Sequence, residues 1–369
     1  MGLCALVVGL GRVGWEYSTE RGLESSHLGA YLSHEAVNPI IAVDTDADRR
    51  RLVQDWWGGY KKNSMLEHKS LLICEDYVKA IEDHSPELAS VCVPTSAHYD
   101  VMKDLIHKKG PSVICLEKPV AASLEEANKI ANRASYVYGL TSPSKPRVAV
   151  NLSRRWHPTF RKVKEILDKG EIGKPLLAIG HHPGPLLRSG VHMLDLFNWY
   201  FGEVKCGRSH TISDSWVTRK IPETDDVAIS GEFIFKNGTR VLFLASELAE
   251  VDYQHFELEI FGEKGGITVL DNGVDLVMRD INADFTNYGG LKGLRFLYNP
   301  EEYPLGLGAK PMVAMVDDLV ECVKDPLKKP ACSMDDGIRA QNLVHMLRQS
   351  KFELIHPDDV NMSEVIHSH

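Results

Sequence analysis

The chain has 369 residues, 43% of them hydrophobic and 25% charged, with a formal net charge of −9; that length exceeds one ordinary domain and can bury two cores. The acidic balance excludes a phosphate-neutralising surface for nucleic acid or anionic membrane, and no apolar run reaches the roughly 20 residues that a membrane span needs. Small molecules are the expected partners, and seven cysteines without a C-x-x-C pair, several in apolar runs (Cys4, Cys92, Cys115), read as reduced core residues with no metal role.

The first segment, "MGLCALVVGLG", lacks the basic start and cleavage site of a signal peptide and reads as the first strand of a cytoplasmic protein. Apolar runs at residues 3–8, 39–43, 88–93 and 112–116 alternate with segments of helical spacing such as 98–108. Continuous apolar strands joined by helical crossovers predict a doubly wound parallel sheet, a Rossmann domain over residues 1–120. A helix-like stretch at 124–137 and a strand-like "RVAVNL" follow. From 175 to about 277 the pattern alternates, and "VAISGEFIFKNGTRVLFLASE" places an Asn237-Gly238 turn between two strands of period two. An α+β domain with a large, open, mostly antiparallel sheet is therefore expected over 121–310, with 283–310 as loop. Two helices at 312–323 and 334–349, the second capped by Ser333 with Asp336 three residues on, form a third segment (311–369) expected to pack back on the first domain.

Gly9, Gly11 and Gly14 form a G-x-G-x-x-G, with Arg12 and Val13 inside it, between the first strand and a helical stretch. Such glycines permit a tight turn, close approach to a pyrophosphate and helix–strand contact, and the helix N-terminus favours the negative charge. Asp44, followed by Thr45, stands at the tip of the second strand, where a carboxylate accepts ribose hydroxyls and repels a ribose phosphate; NAD is preferred and NADP ranks second, with Arg49 and Arg50 nearby. The distance from the glycines requires an insertion between Trp15 and Ser26. Pro94, Thr95 and His98 follow the strand "LASVCV" and are expected to line the cofactor cleft, as are Glu117 and Lys118 after the run at 112–116. The Lys118 ammonium can donate a hydrogen bond to a substrate oxygen as alkoxide or carbonyl character develops.

Gly9-Leu10-Gly11-Arg12-Val13-Gly14, Asp44, Pro94-Thr95 with His98, and Glu117-Lys118-Pro119, in this order, resemble the glucose-fructose oxidoreductase and inositol dehydrogenase (Gfo/Idh/MocA) family. "NLSRRWHPTFRKVKEILDKGEIGKPLLA" resembles the start of that family's second domain, and "WEYSTERGLESSHLGAYL" is similar to members from surface-polysaccharide pathways. The resemblance implies an open sheet that forms homodimers or homotetramers, and it assigns catalysis to His192 in "LLRSGVHMLDLFNWYFG". If Ser189 caps a helix beginning at Gly190, His192 falls in its first turn, with Asp195 on the same face to orient it, and the positive helix end keeps the imidazole neutral. His192 is then the candidate base.

The family commonly carries Asp-x-Gly-x-His-x-x-Asp, and here Arg188 replaces the first aspartate. A guanidinium cannot relay a proton near neutral pH. Arg188 could clamp a substrate carboxylate or phosphate; a pair with Asp195 or a solvent-facing position is the alternative. Arg155 and Trp156 suit a sugar's hydroxyls and apolar face, against a reading of Trp156 as core, and Asp225 and Asp226 read as a turn. The sequence thus points to an NAD-dependent oxidoreductase moving a hydride to or from a CH–OH carbon of a sugar, nucleotide sugar or inositol-like polyol. An NAD-dependent glycosidase using transient oxidation and a non-catalytic NAD(H)-binding redox sensor are the competing classes.

Overall fold

The structure is a computed structural model and describes residues 2–62, 64–107, 110–138, 146–210, 226–246, 255–286, 292–296, 306, 308–349 and 351–353. Its internal contacts divide the chain into two units, Met1–Arg161 with Gly308–Gln341, and Lys162–Leu307 with Asn342–His369. The first unit runs past the expected limit at 120 because a sixth strand completes its sheet, and the terminal segment is shared between the units instead of returning whole to the first.

In the first unit β1 (Leu3–Val8), β2 (Val37–Val43), β3 (Leu71–Cys74), β4 (Leu88–Val91), β5 (Val113–Leu116) and β6 (Arg147–Val150) form a parallel sheet in the order β3-β2-β1-β4-β5-β6. β4 and β5 are buried along their whole length, as apolar runs covered on both faces must be. The strand order reverses between β1 and β4, and the crevice at their carboxyl ends is where sheets of this kind take ligands.

The expected insertion is a break in the helix after the glycine loop. The first piece ends at Glu20, Gly22 turns the chain with φ 104°, and a second helix, His27–Ser33, begins where the Ser26 hydroxyl accepts from Gly29 N. Helix Pro311–Lys324 packs on that second helix and on β5, with Met315 Sδ 3.3 Å from Cys115 Sγ. Helix Met334–Leu347 opens with the expected reciprocal cap: Asp336 N donates to Ser333 Oγ (3.3 Å), and Ser333 N donates back to Asp336 Oδ2 (2.8 Å).

Among the described residues the second unit has nine strands: β7 (Pro175–Pro183), β8 (Val204–His210), β9 (Ser230–Phe235), β10 (Arg240–Ser246), β11 (Glu257–Gly262), β12 (Gly265–Leu270), β13 (Asp275–Thr286), β14 (Lys292–Phe296) and β15 (Lys351–Glu353). Their order is β14-β13-β12-β11-β7-β10-β9-β8-β15, antiparallel except where β7 meets β10. The Asn237-Gly238 turn joins β9 to β10 as expected, with Gly238 at φ 90°. β13 and β14 correct the reading of 283–310 as loop; strand pairing and the Arg295–Asp280 ion pair at 2.7 Å hold a segment whose composition suggests none. One face of the sheet buries Ala178, Phe233, Val241 and Phe243, while Ile234, Leu242, Leu244 and Leu294 on the other remain exposed. Among the described residues no helix is long and apolar enough to cross a membrane.

Candidate functional site

The glycine loop sits at the β1/β4 switch point, and its geometry admits no side chain at two positions. Gly9 has φ +95°, and a Cβ there would stand 2.7 Å from the Cys92 carbonyl at the end of β4; a Cβ on Gly14 would come within 2.0 Å of Gly9 O. At Gly11 the nearest atom to such a Cβ is Arg49 Nη1 at 3.7 Å, so the backbone is open to a ligand on that side. Trp15 N and Glu16 N both donate to Gly11 O (2.9 and 3.2 Å), which winds the first turn wide and starts the helix at Arg12. First-turn N–H groups lack intrahelical acceptors, so those of Arg12 and Val13 head a helix suited to a pyrophosphate.

Asp44, directly after β2, latches this loop. Its Oδ2 accepts from Leu10 N at 2.7 Å and its Oδ1 from Asp46 N at 2.9 Å, while Arg49 Nη1 lies 3.8 Å from Oδ2. A carboxylate has about four lone-pair sites, so two remain for ribose hydroxyls. Thr45 beside it is exposed. Arg49 sets a cation at the same edge, where a ribose phosphate would also be met.

Pro94 and Thr95 follow β4 at the same carboxyl edge, Pro94 exposed and Thr95 half-buried. His98 corrects the expectation that it lines the cleft. It is 1% exposed, with Nδ1 3.0 Å from Pro119 O and Nε2 3.0 Å from Val93 O. Burial pushes the ring below its ordinary pKa despite the carbonyls around it. The ring lies between the two loops, with carbonyl oxygens at both nitrogens, and has no face left for a ligand.

Glu117, the residue after β5, does not project freely into a cleft either; it is 8% exposed. Its Oε1 lies 2.8 Å from His27 Nε2 and accepts from Asn151 Nδ2 at 2.5 Å, and its Oε2 accepts from Lys118 N at 3.3 Å. Burial opposes its ionisation, yet the His27 and Asn151 hydrogen bonds and the Lys118 charge outweigh burial and hold the carboxyl below its ordinary pKa. Behind it His27 Nδ1 is 2.9 Å from Ser90 Oγ, which is 2.9 Å from Tyr31 Oη. Asn151 Oδ1 is buried with no donor among the described residues, an open acceptor beside Glu117. Lys118 itself is half-buried.

The sequence reading missed His27, Tyr31 and Ser90. Ser90 carried the available signal: a hydroxyl in the middle of a fully buried strand needs polar partners.

Arg155 and Trp156, expected to meet a sugar, are instead placed in the interior. Trp156 is 1% exposed and donates from Nε1 to Asp318 Oδ2 at 3.1 Å. Arg155, 4% exposed, lies 3.4 Å from Asp336 Oδ1, and its Nη1 donates to Ala331 O at 3.4 Å. Burial would raise the Asp336 pKa, but Arg155 and Ser333 overcome this and hold it low. Both aspartates come from the C-terminal segment of the first unit, a partnership that local sequence cannot display.

In the second unit His192 and Asp195 stand three residues apart on helix Val191–Phe201, His192 half-buried and Asp195 1% exposed. Gly180 on β7 leaves room for this helix: a Cβ there would be 2.5 Å from Phe197 and 2.8 Å from Met193. The start of the helix differs from expectation. A wide turn over Leu186–Gly190 leads into it, so Ser189 is not the cap. Asp226 caps it instead, accepting from Leu187 N (2.9 Å) and Arg188 N (3.1 Å), with Arg348 3.5 Å away. His192 is therefore beyond the first turn, and a carboxylate already offsets the positive helix end. The Arg188 side chain is exposed. Among the described residues no cluster of three His, Cys, Asp or Glu side chains could hold a metal ion.

Comparison with known proteins agrees with this framework. Residues 4–137 match the model of the GFO_IDH_MocA oxidoreductase family, described as an NAD-binding Rossmann fold, and residues 179–268 match the GFO/IDH/MocA C-terminal domain. An uncharacterized oxidoreductase, YrbE, of Bacillus subtilis is 28% identical over 59% of this chain and 65% of its own length. An inositol 2-dehydrogenase of Salmonella paratyphi B is 25% identical over 55% of this chain and 56% of its own. The chain thus spans less than two thirds of the length of these curated relatives. Among solved structures, the WlbA dehydrogenase of Bordetella pertussis, in complex with NADH and UDP-GlcNAcA, superposes with a TM-score of 0.72 at 13% identity, covering 96% of this chain and 98% of that one. That likeness is one of fold. With two family models that together take in more than half of its residues, the chain belongs to the Gfo/Idh/MocA oxidoreductase family.

Proposed function

We propose that the protein is an NAD(H)-dependent oxidoreductase that moves a hydride between the nicotinamide and a CH–OH carbon of a sugar, nucleotide sugar or inositol-like polyol. The observation that carries this reading is the glycine loop at the strand switch point, open at Gly11 and latched to β2 through Asp44. Gly9, Gly11, Arg12, Val13 and Gly14 would cradle the pyrophosphate, Asp44 and Thr45 the adenosine ribose, and Pro94, Thr95 and Glu117 the nicotinamide half. The bound dinucleotide supplies the hydride chemistry; the protein supplies position and charge.

Lys118 would polarise the substrate oxygen, stabilising alkoxide character with its ammonium. His192 would accept or return the hydroxyl proton, with Asp195 as its orienting partner. Arg188, exposed just before the helix, is assigned to an anionic group of the substrate, which favours a sugar acid or a nucleotide sugar over a neutral polyol.

The test is to incubate the protein with NAD and a panel of inositols, sugar acids and nucleotide sugars, following NADH absorbance and sugar release together. NADH accumulating with one substrate is the expected result. Release of a free sugar without net NADH would instead make the chain a glycosidase using transient oxidation. NADH binding without turnover of any candidate would leave a redox sensor.

A further inference from the structure

We propose that His27 is a positioning residue, holding the Glu117 carboxylate in one orientation as a charged acceptor and thereby setting the affinity of the first unit for its dinucleotide. The inference rests on the reading of Glu117 as part of the nicotinamide side of the cofactor cleft.

The chain of contacts runs through four separate elements. Tyr31 and His27 lie on the helix after the glycine loop, Ser90 on β4, Glu117 after β5 and Asn151 after β6. His27, Ser90 and Tyr31 are 0% exposed, so every proton in the chain must be placed. Burial pushes the Tyr31 phenol far above its ordinary pKa, so it remains a donor. Its one hydrogen-bond partner among the described residues is Ser90 Oγ. Were Ser90 to donate to Tyr31, the phenol hydrogen would be buried without an acceptor, which is costly. Tyr31 therefore donates to Ser90, and the Ser90 hydrogen is left for His27 Nδ1. That fixes the imidazole proton on Nε2, where it is donated to Glu117 Oε1 at 2.8 Å. Asn151 Nδ2 donates to the same oxygen, and Lys118 N to the other.

The arrangement gives Glu117 three N–H donors and no room to turn. The titratable groups facing it are His27, Lys118, His98, Cys92 and Cys115, with Tyr31 behind His27. Of these, His27 reaches the carboxylate by a side-chain hydrogen bond, linking the helix His27–Ser33 to the strand tip that bears Lys118. A residue without that N–H removes the side-chain hydrogen bond that heads the influences opposing burial at Glu117. The carboxyl would then protonate at a higher pH than in the wild type, and Lys118 N would lose its charged acceptor.

The experiment is a fluorescence titration of the full chain with NADH at several pH values between about 5.5 and 8, using wild type, His27→Leu, His27→Asn and His27→Gln. Circular dichroism checks that each variant is folded. Glutamine can present an N–H where Nε2 stands, whereas asparagine is too short to reach. Relative to wild type, the Leu and Asn variants should lose about tenfold in NADH affinity between the high and the low end of this range. The Gln variant should track the wild-type profile. If Leu does not fold, Asn carries the comparison. Parallel profiles for all variants, or a uniform loss without pH dependence, would overturn the positioning role and leave His27 as packing. No NADH binding by wild type at any pH would instead sink the cofactor reading beneath it.

Discussion

Replacing Lys118 with alanine is expected to lower turnover of the true substrate by about 10²- to 10⁴-fold, the range over which positioned acid–base groups act, while NAD still binds. The expectation follows from where the residue stands. β5 is a fully buried strand, and the chain leaves it through Glu117, whose carboxylate is fixed by His27 and Asn151 and itself accepts from Lys118 N. The Lys118 backbone is thereby held just beyond the carboxyl end of β5, and its side chain is half-buried. Lys118→Arg should not restore activity, because a planar, forked guanidinium cannot put a compact point-charge donor where the ammonium stands. His192→Ala should show a loss of similar order. Measuring kcat and KM separately checks both. An unchanged kcat in Lys118→Ala, with only KM raised, would reduce the ammonium to a binding group.

Trp156→Ala is expected to cost about 3–5 kcal/mol of stability, as buried Trp-to-Ala truncations do, with the NAD affinity of the folded protein unaltered. Its indole fills the core of the first unit, and its N–H goes to Asp318, which also accepts from Ala331 N at 2.8 Å. Truncation opens a cavity and removes one donor from that carboxylate. Urea unfolding followed by circular dichroism reads the loss. A variant as stable as wild type but with a raised KM for sugar would restore the stacking role that the residue's aromatic chemistry suggests from sequence.

That contrast shows what sequence can carry. The glycine loop, Asp44 at a strand tip and the Glu117-Lys118 pair were legible because each is a local pattern: a strand, a turn and a residue type at its end. The Ser333–Asp336 cap and the Asn237-Gly238 hairpin were legible for the same reason. What could not be read was long-range pairing. Arg155 and Trp156 look like cleft residues until Asp336 and Asp318, far along the chain, are brought to them. His98 looks like a cofactor contact until three loop carbonyls claim it.

The helix bearing His192 teaches the same lesson. Ser189 is a plausible cap by residue type, but the first turn begins earlier and its donors go to Asp226, from a different segment. That carboxylate offsets the positive helix end on which the sequence argument for His192 relied, so the kinetics of His192→Ala are the test of its proposed role. Likewise β14 hides in a segment rich in glycine and asparagine because its pairing with β13 supplies what its composition does not.

The most direct measurement is an isothermal calorimetric titration of the protein with NAD, beside Gly14→Val, whose side chain would collide with Gly9 O. Saturable one-site binding by wild type, abolished in the variant, is the result predicted. Heat no different from dilution for wild type with either NAD or NADP would contradict the account at its root.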